Sequence, residues 1–156
     1  MEYKLQNHSI GQAFKMNEGR SCETALFYWM QTRTRKNIEE FGLLELINGS
    51  KLELLPPLPY VAFIELVKDA SLVLTDSGGL QEETTTLGIP CFTLRENTER
   101  PVTIEEGTNT LVGTSKSGIL SAYKVFKKDG PKKGRVPELW DGKTAERIVS
   151  ILLSST

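Results

Sequence analysis

The chain has 156 residues, a length that favours one domain with a single hydrophobic core. Hydrophobic residues make up 38% of it and charged residues 25%, and the formal net charge of −1 gives no sign of a nucleic-acid-binding or anionic-membrane surface. No apolar run approaches the length of a membrane span, and residues 1–11 lack the apolar core of a signal peptide. With one histidine and two cysteines at no metal-binding spacing, we expect no metal site and a reduced, cytoplasmic chain.

The hydrophobic pattern predicts an α/β fold. Residues 1–24 show no clear period, so we expect an irregular segment there, followed by one domain over residues 25–156. Because the predicted strands and helices alternate with short connections, we expect a parallel sheet with helices on both faces. The predicted strands are 25–30, 51–55, 71–74, 91–94 and 108–113, and the predicted helices are 35–41, 60–70, 80–87, 102–106, 117–127 and one from about 141 to the end.

The junction between the third strand and the next helix is a candidate phosphate site. Residues 76–79 are Asp-Ser-Gly-Gly. Free N–H groups and the positive dipole end at a helix N-terminus favour an anion, and the missing Cβ atoms of Gly78 and Gly79 would let it approach the backbone. Such junctions also occur without a ligand, so both interpretations remain open. Glu82 and Glu83 fall in the predicted first turn, where acids suit the dipole with no ligand at all.

Charged residues follow the fourth predicted strand. Residues 95–101 include Arg95, Arg100 and two glutamates. Open α/β sheets bind ligands at the carboxyl ends of their parallel strands, which is where these side chains would lie. Arg100 is able to form a forked pair with a phosphate, and a carboxylate such as Glu83 is able to accept hydrogen bonds from ribose hydroxyls.

Other residues have both a structural and a functional interpretation. Phe63 lies at apolar spacing in the helix predicted over residues 60–70, where it either packs in the core or lines a base pocket. The basic cluster that includes Arg33 either faces a ligand phosphate or is the solvated start of a helix. Residues 127–135 are also basic, and their glycine and proline residues predict a turn or mobile loop with solvated charges. We expect His8 to be exposed and without a catalytic role.

Several motifs together indicate a family. Residues 76–83 are Asp-Ser-Gly-Gly-Leu-Gln-Glu-Glu, residues 87–90 are Leu-Gly-Ile-Pro, and residues 95–101 are Arg-Glu-Asn-Thr-Glu-Arg-Pro. In combination they resemble the UDP-N-acetylglucosamine (UDP-GlcNAc) 2-epimerase family of the non-hydrolysing type, and residues 137–149 look like that family's carboxyl-terminal end. The resemblance covers roughly residues 33–153. It implies the carboxyl-terminal half of a GT-B-like fold, in which two Rossmann-like domains hold a sugar nucleotide in the cleft between them.

The resemblance also implies a ligand and a chemistry. Family members interconvert UDP-GlcNAc and UDP-N-acetylmannosamine (UDP-ManNAc) by eliminating UDP and adding it back to a 2-acetamidoglucal intermediate. This requires no metal or nicotinamide cofactor, because UDP is itself the leaving group. By position, the resemblance assigns the UDP contacts to Ser77, Gly78 and Gly79 at the diphosphate, Glu83 at the ribose, Phe63 at the uracil, Arg100 at a phosphate or in ordering its loop, and Arg33 as a further UDP contact.

The chain departs from the family pattern in ways that bear on activity. Members are more than twice as long, and the carboxylates proposed as acid and base lie on an amino-terminal domain that is absent from this chain. Residues 1–24 contain no match to the family's histidine-arginine signature, and Gln31 stands where members have a histidine. A glutamine is unable to supply or take a proton at neutral pH.

From these departures we expect a UDP-binding half that is inactive alone, with no catalytic residue of its own. Its expected partners are a UDP-sugar and either a second copy of the chain or a separate amino-terminal domain chain. One alternative is a non-catalytic UDP-sugar-binding module, or half of a split or truncated enzyme. Another is the nucleotide-binding domain of a GT-B glycosyltransferase.

Overall fold

The computed structural model describes residues 26–29, 36, 38–50 and 52–155. The chain divides into two compact units, Met1–Ser71 and Leu72–Thr156. Parallel strands alternate with helices along the chain, which confirms the α/β fold class. Residues 1–24 lie outside the described residues, so the predicted irregular segment, and the single domain predicted over residues 25–156, stay predictions.

The first unit contains a parallel pair of strands. Strand β1 (Leu26–Trp29) pairs with strand β2 (Leu52–Leu55), and Tyr28 lies opposite Leu54. Both strands lie within the apolar runs that predict them. Strand β2 ends at the proline pair of residues 56 and 57, because proline has no N–H to donate to a neighbouring strand.

The helices of the first unit begin and end near their sequence signals. Helical backbone at residues 38–40 stops before Gly42, whose φ of 63° is a left-handed conformation that glycine adopts at little cost. Helix α1 (Leu44–Asn48) follows, and the apolar spacing does not predict it. Helix α2 (Tyr60–Lys68) begins directly after Pro59 and buries Val67, as the proline signal and the apolar spacing predict.

The second unit is a three-stranded parallel sheet with helical connections. The strands pair in the order β3, β4, β5, so each connecting helix joins neighbouring strands. In the part of the chain that the structure describes, no helix has the length and apolar character needed to cross a bilayer. The elements are β3 (Val73–Thr75), α3 (Gly78–Leu87), β4 (Cys91–Thr93), α4 (Pro101–Glu105), β5 (Asn109–Leu111), α5 (Lys116–Asp129) and α6 (Thr144–Ser154).

Helices cover both faces of this sheet, as the alternation predicts. Successive side chains of a strand point to opposite faces. Phe92 packs edge-to-face against Phe126 of α5, with ring centroids 6.1 Å apart. The thiol of Cys91, on the opposite face, forms a hydrogen bond with Thr84 of α3. Helices α3 and α5 therefore lie on opposite sides of β4.

The interior of the second unit is mostly polar. Besides Cys91 and Phe92, its buried side chains are Thr75, Gln81, Thr84, Thr85, Thr93, Thr103, Thr108 and Asn109. Buried polar groups are stable only when they are hydrogen-bonded. Asn109 Nδ2 donates to the carbonyl of Gln81 at 3.2 Å, and Thr84 Oγ1 donates to Asn109 Oδ1 at 3.2 Å. These bonds join helix α3 to strand β5.

The basic segment after α5 is attached to the turn between α4 and β5. The Arg135 N–H donates to the carbonyl of Glu106 at 2.8 Å, and its guanidinium forms a salt bridge with the Glu106 carboxylate at 3.0 Å. Lys132 Nζ donates to the carbonyl of Asn109 at 3.0 Å and to that of Ile104. Lys132 and Arg135 are both exposed, in line with the prediction of solvated charges, and they also bind groups of the protein.

Candidate functional site

Helix α3 begins at the carboxyl end of strand β3 with Ser77 as its N-cap residue. Ser77 is extended (φ −78°, ψ 126°), and its Oγ accepts a hydrogen bond from the Leu80 N–H at 3.5 Å. The Ser77 N–H donates to Thr75 Oγ1 at 3.0 Å. Gly78 and Gly79 are the first two helical residues, so their N–H groups are among the four at a helix N-terminus that have no partner inside the helix.

The two glycines leave open space at this helix end. Neither has a positive φ, so neither is required by the backbone conformation. A Cβ built on Gly78 would meet nothing within 4 Å, and one on Gly79 only the Ser77 Oγ at 3.9 Å. The fold of the chain therefore gives no reason for glycine at either position. A ligand that approaches the N–H groups closely would be a reason for glycine at both positions.

The two glutamates lie further along α3 than the sequence predicts. Because the helix begins at Gly78 and not at Leu80, its first turn contains no acidic residue, and the prediction that Glu82 and Glu83 lie in that turn is wrong. Glu82 Oε1 lies 2.7 Å from Arg100 Nε. Glu83 is half-buried on the same helix, and its contact with a ribose stays a prediction.

Arg100 lies against helix α3. It precedes α4 as the N-cap residue, and the side chains of Arg100 and Glu82 are each 41% exposed, while the Arg100 Nε atom that meets Glu82 is itself buried. Residues four apart share a helix face, so Glu82 and Gly78 lie on one face of α3. The structure therefore brings Arg100 to the helix face that carries the first glycine.

Gln81 is a residue of this region that sequence reasoning missed. Its side chain is fully buried, its Nε2 donates to the Ser77 carbonyl at 3.2 Å, and its Oε1 accepts from Thr98 Oγ1 at 2.7 Å. The available signal was spacing: Gln81, Thr84 and Thr85 lie at i, i+3 and i+4, the spacing of a buried helix face. Because all three residues are polar, hydrophobic periodicity does not mark this face as buried.

Other charged residues of the loop after β4 bind groups of the protein. Glu96 Oε1 accepts hydrogen bonds from the Thr114 N–H at 3.1 Å and from the Thr114 hydroxyl at 2.9 Å. Arg95 and Glu99 form an ion pair at 3.6 Å. Glu96 thus connects the loops that follow β4 and β5 at one edge of the sheet.

Two predicted ligand contacts belong to the first unit. Phe63 is half-buried on helix α2, and its place beside a uracil stays a prediction. Arg33 lies outside the described residues, as does Gln31.

The titratable groups give no sign of metal or thiol chemistry in the described residues. Within that part of the chain, no group of three or more histidine, cysteine, aspartate or glutamate side chains could hold a metal ion. Burial raises the pKa of the Cys91 thiol to about 11, because a thiolate is poorly solvated in the interior. Cys91 is therefore a neutral core residue at physiological pH.

The sequence of the chain matches one family model over almost its full length. The model is described as UDP-N-acetylglucosamine 2-epimerase and matches residues 4–153. The match begins well before residue 33, the approximate start of the resemblance in the sequence analysis. The UDP-N-acetylglucosamine 2-epimerase of Methanocaldococcus jannaschii is 41% identical over 131 residues, and that of Campylobacter jejuni is 35% identical over 121 residues.

The chain spans about a third of the length of these relatives. It covers 35% of the M. jannaschii protein and 32% of the C. jejuni protein, and the matches take up 83% and 75% of the chain itself. The part of each relative that the chain does not match is thus longer than the part that it matches.

Two solved structures of related proteins resemble the fold of this chain. The crystal structure of the M. jannaschii UDP-GlcNAc 2-epimerase in complex with UDP-GlcNAc and UDP matches with a TM-score of 0.68 and 41% identity, over 83% of this chain and 36% of that one. The co-structure of Staphylococcus aureus MnaA with UDP matches with a TM-score of 0.67 and 31% identity, over 82% and 36% of the two chains. The fold is therefore that of a segment of these enzymes.

Proposed function

Because the chain belongs to the UDP-N-acetylglucosamine 2-epimerase family, we propose that it forms the UDP-binding part of a UDP-GlcNAc 2-epimerase. The observation that carries the proposal is the N-terminus of helix α3, where two glycines with open Cβ positions follow the Ser77 cap and Arg100 lies against the same helix. Solved relatives that contain UDP support this choice of ligand.

In this proposal, the α3 N-terminus holds the diphosphate. The N–H groups of Gly78 and Gly79 and the Ser77 hydroxyl donate to phosphate oxygens, and the helix dipole adds a favourable field. Arg100 supplies a positive charge, for which the phosphate competes with the Glu82 carboxylate. Glu83 accepts hydrogen bonds from the ribose.

The chemical contribution of this part is to stabilise the leaving group. In the elimination step, the bond between the anomeric carbon and the UDP oxygen breaks, and negative charge develops on the diphosphate. Donors fixed at the α3 N-terminus stabilise that charge without having to reorganise. We assign no acid or base to the described residues. Phe63 beside the uracil and Arg33 as a further UDP contact complete the proposed set.

A calorimetric titration tests the proposal, with UDP as the ligand and AMP as the control nucleotide. We expect saturable UDP binding by the wild type and no heat with AMP. In Gly79→Ala, the added Cβ fits the fold but occupies the space of a phosphate, so the affinity for UDP should fall about tenfold or more, the loss of a charge-assisted hydrogen bond.

The matched control is Gly49→Ala in the first unit, where a Cβ makes only ordinary contacts, the nearest at 3.5 Å from the Glu45 carbonyl oxygen. This variant should bind UDP as the wild type does, and neither variant should lower the melting temperature. A wild-type chain that shows no binding at millimolar UDP would contradict the proposal.

A non-catalytic UDP-sugar-binding module is the second candidate. It is favoured by one observation, that the described residues offer donors for a diphosphate at the α3 N-terminus and that we assign none of them as an acid or base. The neighbouring reading frame separates the two candidates, because a frame that encodes a second Rossmann-like domain favours a split enzyme. The relatives reported above are 2-epimerases, so the glycosyltransferase alternative gains no support from them.

A further inference from the structure

One fully buried side chain connects the cap of helix α3 with the loop that carries Arg100. Gln81 is 0% exposed and forms hydrogen bonds at both ends of its amide. Its Nε2 donates to the carbonyl of Ser77, the N-cap residue, and its Oε1 accepts from the Thr98 hydroxyl. Thr98 Oγ1 in turn accepts a hydrogen bond from the Arg100 N–H at 3.0 Å.

The Ser77 carbonyl determines the direction of all three hydrogen bonds in this series. The Ser77 carbonyl can only accept, so the amide of Gln81 must present its NH₂ group to it. The Gln81 oxygen then faces Thr98, whose hydroxyl must donate its one proton there. The Thr98 oxygen is left as an acceptor for the Arg100 N–H. No other arrangement of these groups satisfies all three bonds.

The same two elements are joined a second time at the surface. Glu82, the neighbour of Gln81 in α3, pairs with the guanidinium of Arg100 at 2.7 Å. The buried bonds hold the Arg100 backbone, whereas the ion pair holds its partly exposed side chain. A phosphate would compete with Glu82 for the guanidinium, whereas the hydrogen bonds through the fully buried Gln81 side chain would remain.

We propose that Gln81 and Thr98 are positioning residues, which hold Arg100 at the distance from the Ser77 cap that the diphosphate of a bound nucleotide requires. The inference rests on the proposed function, because it assigns to these residues an effect on UDP binding. Neither residue touches the ligand. Their effect passes through the Arg100 backbone, so it should vanish when the Arg100 side chain no longer takes part in binding.

The test is a double-mutant cycle with UDP as the probe. Thr98→Val keeps the shape of the side chain and removes both hydrogen bonds, and Thr98→Ser keeps the hydroxyl as the matched control. Each is made in the wild type and in an Arg100→Gln background, and UDP affinity is measured by NMR titration into the millimolar range. We expect Thr98→Val to weaken UDP binding about tenfold in the wild type and not at all in the Arg100→Gln background, with Thr98→Ser close to wild type.

A second readout needs no ligand. The Arg100 amide should exchange its hydrogen slowly in the wild type and in Thr98→Ser, and faster in Thr98→Val, with the amides of strand β4 unchanged. Equal loss of UDP affinity from Thr98→Val in both backgrounds would show a general structural effect and overturn the inference. Unchanged Arg100 exchange in Thr98→Val would also overturn it. A wild-type chain that binds no UDP contradicts the proposed function, while the exchange data still decide whether Thr98 holds the loop.

Discussion

At the scale of single residues, glycine has different roles at different positions of the second unit. Gly78 and Gly79 have open space at the Cβ position, and we attribute their occurrence to a ligand. Gly107 is required by the fold, because a Cβ there would lie 2.6 Å from both the Thr103 carbonyl oxygen and Thr85 Oγ1. Gly134 is required in the same way, since its Cβ would lie 2.4 Å from the Gly107 backbone.

Gly107→Ala should therefore destabilise the fold, by about 1–3 kcal/mol as is typical of overpacking. Urea unfolding measures the change in the free energy of unfolding. Gly79→Ala is the internal comparison, and it should leave that free energy unchanged or raise it by up to about 1 kcal/mol, because alanine is the better helix former and its Cβ fits. Equal stability of Gly107→Ala and Gly79→Ala would refute the assignment of these roles.

Cys91 gives a prediction on pH. Its pKa is raised from 9.0 to about 11 in the folded chain, so between these values the native state keeps a proton that the unfolded state has lost. The contribution of the thiol to stability is therefore complete below pH 9.0 and decreases as the pH rises toward about 11. The slope is about 1.4 kcal/mol per pH unit.

Comparison with Cys91→Ala isolates this thiol from the other groups that titrate at high pH. The wild type should be the more stable protein at pH 8, and its advantage should shrink as the pH rises through that window. Denaturant unfolding at a series of pH values measures this difference in the free energy of unfolding between the wild type and Cys91→Ala. An advantage that stays constant with pH would mean that the buried thiol does not titrate as described.

At the scale of secondary-structure elements, a polar contact joins helix α3 to strand β5. Asn109 is fully buried at the start of β5, and its amide bonds to the Gln81 carbonyl and to the Thr84 hydroxyl. Asn109→Ala would remove these two hydrogen bonds, each worth about 0.5–1.5 kcal/mol, so the free energy of unfolding should fall by about 1–3 kcal/mol. The control is Asn97→Ala, since Asn97 is exposed, and thermal or urea unfolding compares the two. A loss no greater than that of Asn97→Ala would mean that water replaces the missing bonds.

At the scale of the whole molecule, the proposed function predicts the activity of the chain alone. The described residues supply donors for a leaving group, and we propose no acid or base among them. Incubation with UDP-GlcNAc should therefore give no UDP-ManNAc, even where calorimetry shows UDP binding. The measurement is separation of the two UDP-sugars after incubation with the chain alone. Formation of UDP-ManNAc would show that the chain contains its own catalytic groups.

The sequence by itself determined the fold class, the positions of the five described strands and the family. Strands are apolar runs bounded by glycine, proline and polar residues, and this signal is local, so it survives without knowledge of the fold. The sequence predicts the start of helix α3 at residue 80, two residues too late. Gly78 and Gly79 are poor helix formers, so the pattern does not mark the first turn as helical. The Ser-Gly-Gly junction itself was identified correctly as the end of a strand and the beginning of a helix.

Only the tertiary structure decided which polar groups meet. Gln81 and Thr98 are 17 residues apart in sequence, Asn109 and Gln81 are 28 apart, and Arg135 and Glu106 are 29 apart. Many threonines and glutamates of the chain could serve as partners, and no periodicity distinguishes them. The pairing is set by the parallel order of β3, β4 and β5, which brings segments that are distant in sequence next to one another. Buried donors and acceptors of those segments then find partners across the new contacts.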